Sequence, residues 1–168
     1  KLVYIHARNA ILNGLSPKKN RMIPKLRYED VKIIKHRYSD IEFYLNGGLD
    51  DISEIQNNIS VFDGVMIGRK IYDDPMFLRV IEREIFGNKD IVTRDHIISE
   101  YLKYALPLSK KGVSNYMLLR HLFSLYYNTS SSKRWKKFLH DIIQHDKDIL
   151  LINDFEESNY EEKISSYS

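Results

Sequence analysis

IEFYLNGG, residues 41–48, decides the reading of the fold. Its first five residues are mostly apolar or aromatic and form a short strand, which Gly47-Gly48 stops. The same grammar recurs on either side. Upstream, residues 2–7 (LVYIHA) read as a buried strand ending at His6-Ala7-Arg8. Downstream, residues 61–67 (VFDGVMI) read as a third strand, stopped by Gly68-Arg69. A loop with Gly14, Pro17 and Pro24 follows the first strand, and Tyr28 to Arg37 then carries Val31 and Ile34 at helical spacing. Asp50 reads as the N-cap of a short helix through Ile55. Arg69 to Phe86 reads helical with a restart at Pro75, where Asp73-Asp74 would cap the second piece. Strands alternating with helices predict parallel βαβ units. Three parallel strands leave unpaired backbone groups at both sheet edges, and a closed barrel removes such edges, so further strands are expected upstream of Lys1.

From about Thr93 the periodicity changes. Residues 94–105, 113–127 and 131–145 read as amphipathic helices, with Thr93 and Ser114 as caps and Pro107, Gly112 and Asn128 as breaks. Asp148 to Ile152 is the one further stretch that could be a strand. The expected organisation is thus an α/β part over 1–90, an all-helical domain over 91–150, and an acidic, Ser-rich, frayed tail over 151–168.

The 168 residues are 43% hydrophobic and 29% charged, which excludes a disordered or fibrous chain. No apolar run approaches the roughly 20 residues of a membrane-spanning helix. Opening on a strand-like run without an initiating Met, the chain reads as cut rather than begun, and no signal peptide is expected. The absence of Cys excludes disulfides, thiolate metal sites and thiol catalysis within these residues, and makes a cytoplasmic location the default. The net charge of +3 is too small to imply a polyanionic partner by itself. Its distribution says more. Lys18, Lys19, Arg21, Lys25 and Arg27 share one acid-free stretch, and Lys133, Arg134, Lys136 and Lys137 another, while Asp154, Glu156, Glu157, Glu161 and Glu162 balance them.

All three strands end in residues suited to a phosphate. Glycines at strand ends let backbone N–H groups approach an anion, the following helix adds its dipole, and Arg69 adds a charge that pairs bidentately. Singly, each has a plainer reading: paired glycines also make ordinary turns, a strand-end His can be structural, and Arg8 can be a salt-bridge partner. Three such ends in succession favour a phosphate-bearing cofactor at the C-terminal face of a barrel. Lys133-Arg134-Trp135-Lys136-Lys137 combines cations with a flat aromatic, as an RNA contact requires, with Ser130 to Ser132 as cap candidates. Trp135 could equally anchor a core beside Phe138 and Leu139. Two basic patches suit a large polyanion better than a metabolite. His140, Asp141, His145 and Asp146 could suggest a metal, but without a partner segment no metal is expected.

The segments IHARNAILNGLSPKKNRMIPKLRY (5–28), NGG (46–48), DGVMIGRKIYDDP (63–75), LRHLFSLYY (119–127) and KRWKKFL (133–139) resemble the tRNA-dihydrouridine synthases, specifically their A subfamily. The first segment is the most specific; NGG and GVMIGR alone would fit other flavin barrels. The resemblance extends to about residue 145. It implies an α/β plus α chain: strands six to eight of a TIM (β/α)8 barrel followed by a helical RNA-binding domain. It implies FMN as cofactor, NADPH as reductant, and reduction of D-loop uridines U20 and U20a in tRNA, by a protein monomeric when complete. By motif, His6, Asn46, Gly47, Gly48, Gly68 and Arg69 correspond to flavin-binding positions, and Lys18, Arg21, Lys133 and Lys136 to tRNA-contacting ones. Asn9 and Ser124 depart from the family pattern, where a basic residue and a glycine are usual. The family's proton-donating cysteine and flavin-contacting lysine belong to the barrel half expected upstream, so no catalytic residue is assigned here and the chain alone would be inactive. The alternative is a non-catalytic tRNA-binding remnant. An unrelated phosphate-binding barrel is disfavoured, because it would lack the basic helical appendage.

Overall fold

The computed structural model describes residues 1–156, so the acidic positions Glu157, Glu161 and Glu162 lie outside the described residues. The chain divides into two compact units, one comprising Lys1–Ile71 with Val80–Gly87, the other Tyr72–Arg79 with the chain from Asn88.

In the first unit three parallel strands, β1 (Leu2–His6), β2 (Glu42–Asn46) and β3 (Gly64–Met66), form one sheet in the order β1-β2-β3. The register aligns Tyr4 with Tyr44 and Tyr44 with Gly64. Alternation along β2 decides the faces. Phe43 and Leu45 are buried, whereas Glu42, Tyr44 and Asn46 lie on the opposite face and are more open. The buried face joins Val31 of α2 (Tyr28–Arg37) and Ile55 of α3 (Ile52–Ile59) in the core. On the open face the Tyr4 and Tyr44 rings lie 5.2 Å apart, and Gly64 leaves the room that the Tyr44 ring occupies. Leu2, Val3 and Tyr4 of the edge strand β1 remain exposed. This open, parallel, helix-alternating sheet is consistent with part of a barrel.

Two local expectations shift. The third strand is shorter than 61–67, because Val61 and Phe62 donate to the Asn58 carbonyl and close α3. Asp63 then accepts from the Phe43 N–H at 2.8 Å and pairs with Lys35, so its carboxyl is held below the usual range, chiefly by the lysine. The N-cap of α3 is Asp51 rather than Asp50: its carboxylate accepts from the Ser53 N–H at 2.8 Å. The loop before α2 holds a short helix, α1 (Pro17–Asn20), capped by Ser16. Asn20 clamps this loop, accepting from the Ile11 N–H at 2.7 Å and donating to the Ile11 carbonyl at 2.8 Å. After β3 come α4 (Arg69–Asp73) and α5 (Phe77–Glu84), and the Phe77 N–H donates to the Asp74 carbonyl at 3.1 Å.

The second unit is helical among its described residues. Thr93 caps α6 (Arg94–Ser109) and Ser114 caps α7 (Asn115–Leu119). The first helix runs through Pro107 instead of ending before it. The helix expected over 113–127 is not continuous: α7 passes into a 3-10 turn at Arg120–Leu122 and then into turns. Its carbonyls are claimed from outside. Tyr101 donates to Leu118 O, Trp135 Nε1 to Leu122 O at 2.6 Å, and Arg94 Nε to Leu125 O at 3.0 Å. On α8 (Ser132–Gln144), Trp135, Leu139 and Ile142 face inward, and Ser131 takes the N-cap position without a side-chain cap bond. Trp135 is fully buried, its ring 4.9 Å from both Tyr126 and Phe155, so it is the core anchor and not a surface for stacking on a base. Ile149–Asp154 form a 3-10 helix rather than a strand, and Ile152 and Phe155, expected in the tail, join this core. Among the described residues no helix is long and apolar enough to cross a membrane.

Trp135 therefore supplies both volume and a directed bond. Trp135→Phe should cost about 2 kcal/mol through the lost N–H and a small void, and Trp135→Ala about 3–5 kcal/mol. Urea unfolding followed by far-ultraviolet circular dichroism measures this, with the exposed Lys133→Ala expected within about 0.5 kcal/mol of the parent.

Candidate functional site

The C-terminal ends of the three strands converge on a cavity of about 270 Å³. His6, Asn46, Gly47, Gly48, Gly68 and Arg69, from all three strand ends, line it together. Arg21 also lines it, although the sequence reading assigned that residue to RNA. Asp50, no longer needed as a cap, contributes a carboxylate to the rim, and Met66 and Ile67 continue the wall from β3.

The turn after β2 has the most demanding backbone. Gly47 and Gly48 both adopt positive φ, 111° and 71°. A Cβ on Gly47 would lie 2.8 Å from the His6 ring, and one on Gly48 would overlap Leu26. Leu26 is brought there by the end of the long loop. Arg8 and Leu26 form an isolated antiparallel bridge, and Arg27 N–H donates to the Ala7 carbonyl at 2.9 Å. Tyr28, the first residue of α2, donates its hydroxyl to the Gly47 carbonyl at 2.7 Å. Burial pushes the Tyr28 phenol above its ordinary pKa, with Glu54 adding to the effect, so it remains a donor. At Gly68, by contrast, a Cβ would meet nothing within 4 Å.

The electrostatics favour an anion. Arg69 Nη2 donates to the Arg21 carbonyl at 3.4 Å, and Arg8 donates to the Pro24 carbonyl. His6 is held below its ordinary pKa of 6.5, first by burial, then by the positive charges of Arg8, Arg69 and Arg21, against a hydrogen bond with Asn46. Its Nε2 is buried with no hydrogen-bond partner among the described residues. A buried ring nitrogen without a partner, three guanidinium groups nearby, and open room at Gly68 form a donor set that fits a phosphate group.

The remaining sequence-predicted residues lie elsewhere. Lys18 is exposed on α1 of the first unit. Lys133 and Lys136 are exposed on the outer face of α8 in the second, with Lys137 and His140 beside them at helical spacing. Arg134 turns away to stack over Phe155 at 5.1 Å and to donate to the Glu156 carbonyl. Asp141 pairs with Lys147 at 2.6 Å and His145 at 3.0 Å, whereas His140 packs edge-on against Phe123. Among the described residues no group of three or more His, Cys, Asp or Glu side chains gathers around a point that could hold a metal. The cavity role of Arg21 and the Tyr28 clamp went unseen in the sequence, since both need the loop's return path. The signal for each was the unbroken run from the basic loop into Leu26-Arg27-Tyr28.

Comparison with known proteins bears directly on this arrangement. The chain is similar to the tRNA-dihydrouridine(20/20a) synthase of Pseudomonas putida, 35% identical over 136 residues, covering 80% of this chain and 40% of that protein. The protein of the same name from Synechocystis sp. is 38% identical over 138 residues, covering 82% and 41%. That from Pseudomonas syringae is 34% identical over 151 residues, covering 89% and 45%. The chain thus spans less than half the length of these relatives. With the dihydrouridine synthase (Dus) family model matching residues 1–165, the chain belongs to the dihydrouridine synthase family.

Proposed function

We propose that this chain is the C-terminal part of an FMN-dependent tRNA-dihydrouridine synthase, with the strand-end cavity holding the flavin's phosphate and the helical unit gripping tRNA. The observation that carries the proposal is the convergence of His6, Asn46, Gly47, Gly48, Gly68 and Arg69 on one cavity beside Arg8 and Arg21. Arg69 would pair with phosphate oxygens, and Gly68 would let the phosphate approach the backbone. His6, largely neutral at pH 7, would offer its partnerless nitrogen to the same group. Bound FMN, reduced by NADPH, would supply hydride for D-loop uridines U20 and U20a. The residues of this chain bind and orient; the proton donor would come from the barrel half outside it, because these 168 residues contain no Cys. The second reading is a tRNA-binding remnant without redox capacity. An in-frame upstream barrel half with a loop cysteine supports the enzyme; a stop codon there supports the remnant.

On the RNA side, Lys18 and the exposed pair Lys133 and Lys136 would neutralise tRNA phosphates. The whole protein would work in the cytoplasm as a monomer.

Three outcomes test these readings. The isolated chain should bind FMN no tighter than about 1 μM, since it lacks the loops expected to cover the ring, and Arg69→Gln should weaken binding about tenfold. Flavin fluorescence titration reads both, and a submicromolar dissociation constant would contradict the placement of the cofactor.

The His6 imidazole should titrate below 6.5 by NMR, and either Arg69→Gln or added inorganic phosphate should raise its midpoint. Between the depressed folded value and 6.5 the unfolded chain binds the extra proton. Stability should therefore fall as pH drops through 6.5 and level off below the folded value.

In the complete protein, changing Lys133 and Lys136 together to Ala should weaken tRNA binding about tenfold and flatten the log–log salt slope by about one to two units. Filter retention at several salt concentrations measures both, and flavin absorbance of the same samples should not change.

A further inference from the structure

Glycines at positive φ tolerate several peptide orientations, so a turn built from two of them needs an external clamp if its N–H groups are to point one way. Gly47 and Gly48 form such a turn, with φ of 111° and 71°. The clamp is outside the cavity. Tyr28 does not line the cavity, yet its hydroxyl donates to the Gly47 carbonyl at 2.7 Å. The intervening peptide is trans, so its carbonyl and N–H point in opposite directions. Fixing the Gly47 carbonyl on Tyr28 therefore directs the Gly48 N–H away from Tyr28, which is not among the residues lining the cavity as both glycines are.

Packing alone does not need the hydroxyl. Leu26 already fills the space beside both glycines, and Tyr28 reaches the turn through its hydroxyl. The hydroxyl's distinct contribution is orientation. A phenol is already a donor across the neutral range, and burial and Glu54 raise the Tyr28 pKa further.

We propose that Tyr28 is a positioning residue of the cavity, which presents the Gly48 N–H to a bound phosphate by holding the Gly47 carbonyl. The inference rests on the phosphate-holding reading above. It also gives the basic loop a mechanical link to the cavity, because Tyr28 and Leu26 close the same loop that carries Lys18 and Arg21.

The test titrates the full 168-residue chain with inorganic phosphate and follows backbone amide resonances by NMR. Tyr28→Phe should weaken phosphate affinity about fivefold, the loss of roughly one hydrogen bond's worth of orientation. The phosphate-induced downfield movement of the Gly48 amide proton should shrink, while the free spectrum elsewhere in the sheet stays unchanged. A second variant keeps the ring and the oxygen: 3,5-difluorotyrosine at position 28 has a more acidic phenol. Its phosphate affinity should fall as pH rises through that lowered pKa, a step separate from the His6 step that the parent chain shows at lower pH. If Tyr28→Phe does not fold, this pH profile decides. Parent-like phosphate affinity in the Phe variant, or the absence of that separate step in the fluorinated one, would overturn the inference provided Arg69→Gln still weakens binding. If Arg69→Gln also leaves phosphate affinity unchanged, the phosphate-holding reading itself fails.

Discussion

Two consecutive glycines in the left-handed region, Gly47 and Gly48, are the constraint on which the first unit turns. Any side chain at either position would strike His6 or Leu26, so the backbone there can lie closer to both neighbours than any other residue would permit. That closeness lets the loop from Asn9 to Arg27 return across the strand ends, bridge to Arg8, and deliver Tyr28 to the Gly47 carbonyl. The same closeness keeps the His6 ring against the turn, where burial and neighbouring guanidinium groups depress its pKa. One backbone conformation thus sets the shape of the cavity and the protonation state of its imidazole.

The second unit depends on a different device. Between Leu118 and Leu125, main-chain carbonyls bond to the side chains of Tyr101, Trp135 and Arg94. A buried carbonyl must be paired, but it need not be paired with its own helix. Here the indole and the guanidinium each satisfy a backbone group while contributing apolar or flat surface to the core. The helix after Ser114 gives way to turns over the same stretch, and α8 is held in rotation by its own tryptophan. Lys133 and Lys136 point outward as a consequence of Trp135 pointing in.

How much of this was legible follows from the range of the interactions. Strand positions, the parallel order and the gathering of three strand ends were legible, because alternation of strands and helices constrains topology and parallel strands share one C-terminal face. The cap of α3 was misread by one residue, since Asp50 and Asp51 are equal as local signals and only the path of the glycine turn separates them. The broken helix over 113–127 was illegible, because its apolar spacing is helical and its interruption comes from residues up to 31 positions away. Trp135 stood between two uses, and sequence could not choose. A tryptophan flanked by lysines looks the same whether it stacks on a base or anchors the helix that carries them.

Arg21 shows where a motif and a structure divide the work differently. Read along the chain, it belongs with Lys18 and Lys19, three cations in four residues of an exposed loop. Read in space, Arg21 lines the cavity that holds Arg69, while Lys18 stays outside it. The clamp by Asn20 explains the split: both faces of its amide are tied to Ile11, so α1 ends in a fixed orientation and the next residue is aimed back toward the strand ends. A charge next to a rigid turn goes where the turn sends it, and its neighbours in sequence say little about that direction. Three guanidinium groups, with Asp50 as the one acidic residue among those lining the cavity, repel one another and depress the basicity of the imidazole beside them. Such a cluster costs stability unless an anion answers it, which makes the grouping of Arg8, Arg21 and Arg69 around His6 a stronger argument for a phosphate than any of their motifs alone.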